Sequence, residues 1–213
     1  MTLTGIEIDL LGQTRKDFGD AGVVGAHAFH HDPFFVFLGP RPIQRARGLS
    51  LFCRAYVSVL GEAGYVLGAR QGDGRLVGVA AWVRPGHYPL GVQAQLRQMA
   101  NAFWALSSRP KALVDGTKYL LAIDKVHPKG ELWYLQLLVV DPPLQRHGVG
   151  SALLGPVLAR ADEDGLACYV ETQNPDNLPY YRRFGFEVVE ELRPVRHGPP
   201  LWTMQREPQP PVA

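Results

Sequence analysis

The chain has 213 residues, 46% hydrophobic and 20% charged, and a formal net charge of +2 at pH 7. That length suits one well-cored domain, and the near-neutral balance argues against nucleic acid, which calls for a clustered basic excess. No apolar run approaches the roughly 18–20 residues of a membrane span, and the opening Met-Thr-Leu-Thr-Gly-Ile-Glu lacks a secretory pattern, so no membrane contact and a cytoplasmic location are expected.

Along the chain, the alternation Ile6-Glu7-Ile8-Asp9-Leu10 predicts a first strand, and apolar spacing from Thr14 to His30 a helix with Thr14 as its cap. Pro33 is read as breaking that pattern, after which Phe34–Pro40 leads into a second helical run ending near Leu60. Arg41, Arg45, Arg47 and Arg54 are read as its solvated face. Tyr65–Ala69 and Leu76–Val83 flank the turn Gln71-Gly72-Asp73-Gly74 and read as a hairpin. A helical pattern follows over Val92–Leu106, then an undetermined segment through Asp115–Ile123. The apolar run Leu132–Val140 predicts a central strand buried on both faces. A helix then runs to Gly165 with a proline, Pro156, that should bend it. Ala167–Thr172, Asn177–Phe184, Phe186–Glu190 and Leu201–Gln205 predict strand, short helix, strand and strand. Residues 1–206 are read as a single domain and the Pro-rich residues 207–213 as a disordered tail.

Chemistry concentrates after the central strand, in Asp141-Pro142 followed by Gln145-Arg146-His147-Gly148-Val149-Gly150-Ser151. Glycines there let the backbone approach a ligand closely, and the free N–H groups and dipole of a helix's first turn favour an anion such as a pyrophosphate. No Lys-Ser or Lys-Thr follows, which excludes a P-loop, and a Rossmann loop needs a third glycine early in the chain.

The Gln-x-x-Gly-x-Gly pattern resembles the acetyl-CoA loop of the GNAT superfamily of N-acetyltransferases. The stretch Glu171-Thr172-Gln173-Asn174-Pro175-Asp176-Asn177-Leu178-Pro179-Tyr180-Tyr181-Arg182-Arg183-Phe184-Gly185-Phe186 resembles that family's strand-five to helix-four segment. The likeness spans Leu132–Glu190 and is most similar to puromycin N-acetyltransferase-like members. It implies an α/β fold with a mixed, mostly antiparallel sheet whose fourth and fifth strands run parallel and splay apart around acetyl-CoA. Leu138, Val139 and Val140 are then expected to end the fourth strand at a bulge, pairing with the pantetheine arm and polarising the thioester carbonyl. Gln145, Arg146, His147, Gly148, Val149, Gly150 and Ser151 are expected to hold the pyrophosphate. Arg146 and His147 depart from the Gly and Lys or Arg common at those places, which suits the loop only if its backbone angles there accept larger residues.

The resemblance also implies that Tyr181 is the acid that protonates the departing thiolate, with Asn177 bonding the pantetheine or capping its helix, and that Tyr180 is a packing or substrate-wall residue. A protonated amine must lose its proton before it attacks, and Glu171 is the first choice of base. By the same analogy His31, Asp32, Phe34 and Phe35, with Phe37, form part of an acceptor pocket, Asp32 pairing with the ammonium. The His30-His31-Asp32 cluster lacks a third ligand for a metal. Trp82, Trp104, Trp133 and Trp202 are given no role. Neither Cys53 nor Cys168 lies in a motif, so direct transfer in a ternary complex is expected, by a monomer or homodimer. A protein or peptide acceptor and a non-catalytic acetyl-CoA-binding module stay open as alternatives.

Overall fold

A computed structural model of the chain describes residues 5–60, 63–91 and 109–210. The helix expected over Val92–Leu106, with Trp104, lies outside them. Seven strands, β1 (Ile6–Leu10), β2 (Gly64–Gln71), β3 (Leu76–Val83), β4 (Trp133–Val140), β5 (Cys168–Thr172), β6 (Glu187–Leu192) and β7 (Leu201–Arg206), form one sheet in the order β1-β2-β3-β4-β5-β7-β6. Only β4 and β5 are parallel. The mixed α/β sheet is as expected, and the apolar β4 sits at its middle.

The described helices are α1 (Arg15–Ala28), α2 (Pro33–Leu38), α3 (Pro42–Leu60), α4 (Pro110–Val126), α5 (Val149–Asp164) and α6 (Leu178–Arg182). Thr14 caps α1 as expected, its hydroxyl accepting from the Asp17 N–H. The first helix ends before Pro33 as expected, and Pro33 itself opens α2. Asp32 accepts the Phe34 N–H at 3.0 Å, and a proline in the first helical turn has no donor to satisfy. The undetermined stretch around Asp115–Ile123 belongs to α4. Through Pro156, α5 continues to Asp164 and ends at Gly165 with φ of 67°.

Sheet alternation builds two cores. Val77, Ala80 and Trp82 of β3 meet Leu153, Val157 and Ala161 of α5 on one face. Val79, Ala81 and Val83 meet Ala21, Val24, Cys53 and Val57 of α1 and α3 on the other. Asp162 ties the end of the chain to α5: it accepts two 2.7 Å bonds from the Arg206 guanidinium and one of 2.7 Å from the Gln209 N–H.

The parallel pairing of β4 with β5 stops at Leu135 opposite Val170. At the same level the β3–β4 register slips: Ala81 faces Leu137 and Trp82 faces Leu135, which leaves Gln136 as the extra residue. The bulge therefore lies at Gln136, earlier than the expected Leu138–Val140. An inserted residue bends its strand, so the bulge coincides with the point where β4 leaves β5. From there to Val140, β4 pairs with β3 alone, and the backbone groups on its other edge face the opening between the strands.

Candidate active site

One end of the opening is the glycine loop. Asp141, 6% exposed, anchors the chain as it leaves β4, with Arg75 at 3.2 Å and the His27 ring nitrogen at 3.1 Å. The Gln145 side-chain amide donates back to the Val140 carbonyl at 3.0 Å, and a His147 ring nitrogen lies 2.7 Å from the Gln145 carbonyl. Gly148 opens α5 with φ of 89° and contributes no capping side chain. The first bond of the helix runs from the Ala152 N–H to the Gly148 carbonyl at 2.9 Å. The N–H groups of Val149, Gly150 and Ser151 consequently have no acceptor within the helix, which is the donor set an anion needs.

One residue of this loop is explained by a close contact and another is marked by its backbone. A Cβ on Gly150 would stand 2.7 Å from the Tyr180 hydroxyl, so the second glycine makes room for that ring. Tyr180 packs against Tyr181 and Phe184 and is absent from the cavity lining, which makes it a packing residue at the α5–α6 junction. Arg146 has φ of 64°, the only positive value at a non-glycine residue among the described residues. The departure noted in the sequence thus falls at a left-handed position, where a side chain costs about 1 kcal/mol.

From the bulge, a cavity of about 470 Å³ runs between β4 and β5 and on beneath α2, α3 and α4. Leu138, Glu171, Asn177 and Tyr181 line its sheet side. Val139 is buried in the opposite core, and the bond from the Asp141 N–H to the Val77 carbonyl sets a ladder in which the Val139 backbone groups also turn to β3, so Val139, expected at the cofactor, does not reach the opening; the Val140 side chain packs near Gly150. Gln136, which no local signal marked, lines the cavity with its side-chain carbonyl buried and unpaired. Asn177 donates to the Thr172 hydroxyl at 3.0 Å and makes no cap bond with α6.

Tyr181 is 6% exposed, wedged against Phe186 at 5.7 Å and Tyr180 at 5.4 Å between ring centroids. Burial, and then the neighbouring Tyr180, push its phenol well above the usual value, so it keeps its proton. Glu171 is the first β5 residue beyond the paired segment, with its side chain 6% exposed. One of its carboxylate oxygens accepts the Tyr134 hydroxyl at 2.6 Å.

The far wall is aromatic. Phe34 meets Phe35 at 5.2 Å and Tyr119 at 4.8 Å, Phe35 meets Phe52 at 5.5 Å, and Phe52 meets Tyr56 at 5.1 Å. Asp32 lines this end, its carboxyl raised by burial against the opposing pull of the Phe34 and Phe35 N–H groups. His31 does not: it is exposed, edge-on to His30, because the turn after α1 points Asp32 inward to cap α2 and leaves His31 outside. Phe37 also lies outside the lining and packs on Tyr119. Arg45, read as solvated, is 8% exposed and binds the His30 carbonyl at 2.7 Å and that of Gly39. Arg109 binds the Leu38 carbonyl, so two guanidiniums hold the carbonyl end of α2 in place. Tyr119 reaches across to the last part of the chain: its hydroxyl donates to the Pro199 carbonyl, beside a Gly198 that leaves it room.

Residues 30–186 match the model of the Acetyltransferase (GNAT) family. An uncharacterised N-acetyltransferase of Schizosaccharomyces pombe is 26% identical over 210 residues, covering 91% of this chain and 81% of that one. A crystal structure from Corynebacterium glutamicum, described as histone acetyltransferase HPA2 and related acetyltransferase, superposes with a TM-score of 0.67 at 25% identity, covering 99% of this chain and 100% of that one. Arylalkylamine N-acetyltransferase 2 of Aedes aegypti shares the fold alone, with a TM-score of 0.61 at 13% identity over 96% of this chain and 99% of that one. Enzymes of the matched family use acetyl-CoA as cosubstrate. With its sheet parted between β4 and β5 and an open donor set at the head of α5, the chain belongs to the GNAT family of acetyltransferases.

Proposed function

We propose that this chain transfers the acetyl group of acetyl-CoA to a primary amine on a small, largely apolar molecule, both substrates being bound together. The observation that carries the reading is the single cavity that joins Tyr181 and Glu171, at the parting of the strands, to the aromatic wall of α2, α3 and α4. The cosubstrate, when bound, supplies an acyl thioester. The residues present fit it: the unpaired first-turn N–H groups of α5, with Gln145–Gly150 around them, suit the pyrophosphate, and the free edge of β4 from Gln136 to Val140 suits the pantetheine amides. Asn177, anchored on Thr172, adds a side-chain carbonyl to that groove.

Glu171 takes one proton of the acceptor ammonium as the nitrogen bonds to the acyl carbon, Tyr181 gives its proton to the sulfur as the carbon–sulfur bond breaks, and the nitrogen's surplus proton returns to the Tyr181 oxygen to leave a neutral amide. Burial weakens Tyr181 as an acid, yet the same dry surroundings raise the proton affinity of a thiolate, so the two stay matched. A cavity of this size walled at that end by Phe34, Phe35, Phe52, Tyr56 and Tyr119 suits an apolar amine, with Asp32 at the far end for a second polar group. The likeness of Asn177-Leu178-Pro179-x-Tyr181 to puromycin N-acetyltransferase-like members points to a small acceptor too.

The test is release of free thiol from acetyl-CoA over a panel of arylalkylamines, aminonucleosides, polyamines, amino acids and a lysine peptide. Turnover is expected with the apolar amines. Turnover of the peptide alone would move the acceptor to protein, and binding of acetyl-CoA by calorimetry with no turnover of any amine would make the chain a binding module.

A further inference from the structure

His127, just beyond α4, lies outside the cavity lining, and its side chain is 6% exposed. Three tyrosine rings enclose the imidazole: Tyr88 at 3.7 Å, Tyr134 at 4.7 Å and Tyr169 at 4.9 Å between centroids. Its Nδ1 stands 3.9 Å from Oε1 of Glu171, and both atoms are buried with no hydrogen-bond partner. The other Glu171 oxygen is pinned by Tyr134, so Oε1 is the free corner of the carboxylate.

An orphaned buried polar atom is costly, and here a donor-capable nitrogen and an acceptor oxygen are orphaned face to face. A carboxylate oxygen only accepts, so the ring proton belongs on Nδ1. A closure of about 1 Å makes the bond. The phenols of Tyr56, Tyr88, Tyr134 and Tyr169 around Glu171 are all raised by burial first and stay neutral. The Tyr169 hydroxyl, which feels the Glu171 charge, is likewise buried without a hydrogen-bond partner and is a second donor facing the carboxylate.

We propose that His127 is the positioning residue for Glu171, donating from Nδ1 to Oε1 so that the carboxylate is gripped at both oxygens and aimed at the acceptor nitrogen. The inference rests on Glu171 being the base. It adds to Tyr134, on β4, a second anchor from beyond α4, and so makes the placement of the base depend on where α4 ends.

The variants His127→Phe, which keeps the ring and removes the donor, and His127→Asn, which keeps an amide N–H near the Nδ1 position, separate positioning from packing. His127→Phe is expected to lower kcat about tenfold while acetyl-CoA affinity stays within about twofold, and His127→Asn to recover most of the loss. In a Glu171→Gln background, His127→Phe is expected to cost nothing more, because the group it aims is gone. Wild-type kcat in His127→Phe, an Asn variant no better than Phe, or a further loss in the Glu171→Gln background would each overturn the inference. Full activity of Glu171→Gln itself would overturn the base, and His127's role with it. A dead Glu171→Gln beside a normal His127→Phe would overturn the positioning alone.

Discussion

Along Val140–Ser151 the groups poised for chemistry are main-chain donors and acceptors within a dozen residues of one another, held by Asp141, Gln145 and Gly148. The aromatic wall is assembled differently. Phe34, Phe52 and Tyr119 come from three helices, and their placement depends on Arg45 and Arg109 gripping the end of α2. A backbone site needs only the right turn and tolerates side-chain change, whereas a side-chain wall changes shape with each residue in it. The first suits a cosubstrate shared by a family, and the second an acceptor that differs between its members.

The largest effect tests the junction of the two regions. Tyr181→Phe is expected to lower kcat by about 10²-fold or more and to leave acetyl-CoA affinity within about twofold, measured by thiol release and calorimetry. Equal kcat would place Tyr181 with the packing residues. Asp162 tests how firmly the loop-bearing helix is mounted. Asp162→Ala removes a paired partner from the buried Arg206 and should cost about 3 kcal/mol at neutral pH by urea unfolding. Its carboxyl is held below the ordinary 3.8 chiefly by hydrogen bonds from Arg206. The contribution is therefore complete above about 3.8 and disappears as the pH falls through the lower folded value, so wild type and variant should converge in acid.

Gly150→Ala places a methyl group against the Tyr180 hydroxyl and should weaken acetyl-CoA binding by roughly tenfold or more; adding Tyr180→Phe should return part of it. On the other wall, Phe35→Ala should raise KM for an apolar amine by roughly tenfold and leave acetyl-CoA affinity alone. If Phe35→Ala changed both equally, the two regions would not be separable. The smallest effect is expected at Arg146→Gly. Relief of the left-handed backbone is worth about 1 kcal/mol, offset by loss of a cation near the anion site, so affinity should move by no more than a few-fold.

These differences also explain what was legible in the sequence. The β4 run, the glycine loop and the Glu171–Tyr181 segment are local patterns, and each appears in the structure where its residues stand. The bulge left no trace because Gln136 interrupts an apolar run that reads as plain strand, while the slip is decided by β3. Pro33 reads as a break in isolation and becomes a helix start only once Asp32 caps it. His31 sits in a conspicuous cluster and faces outward. His127, followed by a proline and outside any periodic segment, gave no signal, yet three residues distant in sequence, Tyr88, Tyr169 and Glu171, converge on it together with Tyr134. Arg45 is the same lesson in charge: an arginine on a helix reads as solvated until the carbonyls it meets are known.

The bond from Tyr119 to Pro199 bears on how such a protein can be re-engineered. Acceptor preference looks like a property of the first half of the chain, portable by exchanging everything up to α4. The connection between β6 and β7 nevertheless buttresses that wall, with Gly198 fitted beneath the Tyr119 hydroxyl and beside Phe37. A graft taking α2 through α4 from a relative would arrive without its support and meet a foreign loop at Gly198. On the proposed function, specificity would be transplanted in two pieces, the helices and the residues from Arg193 to Pro200 together.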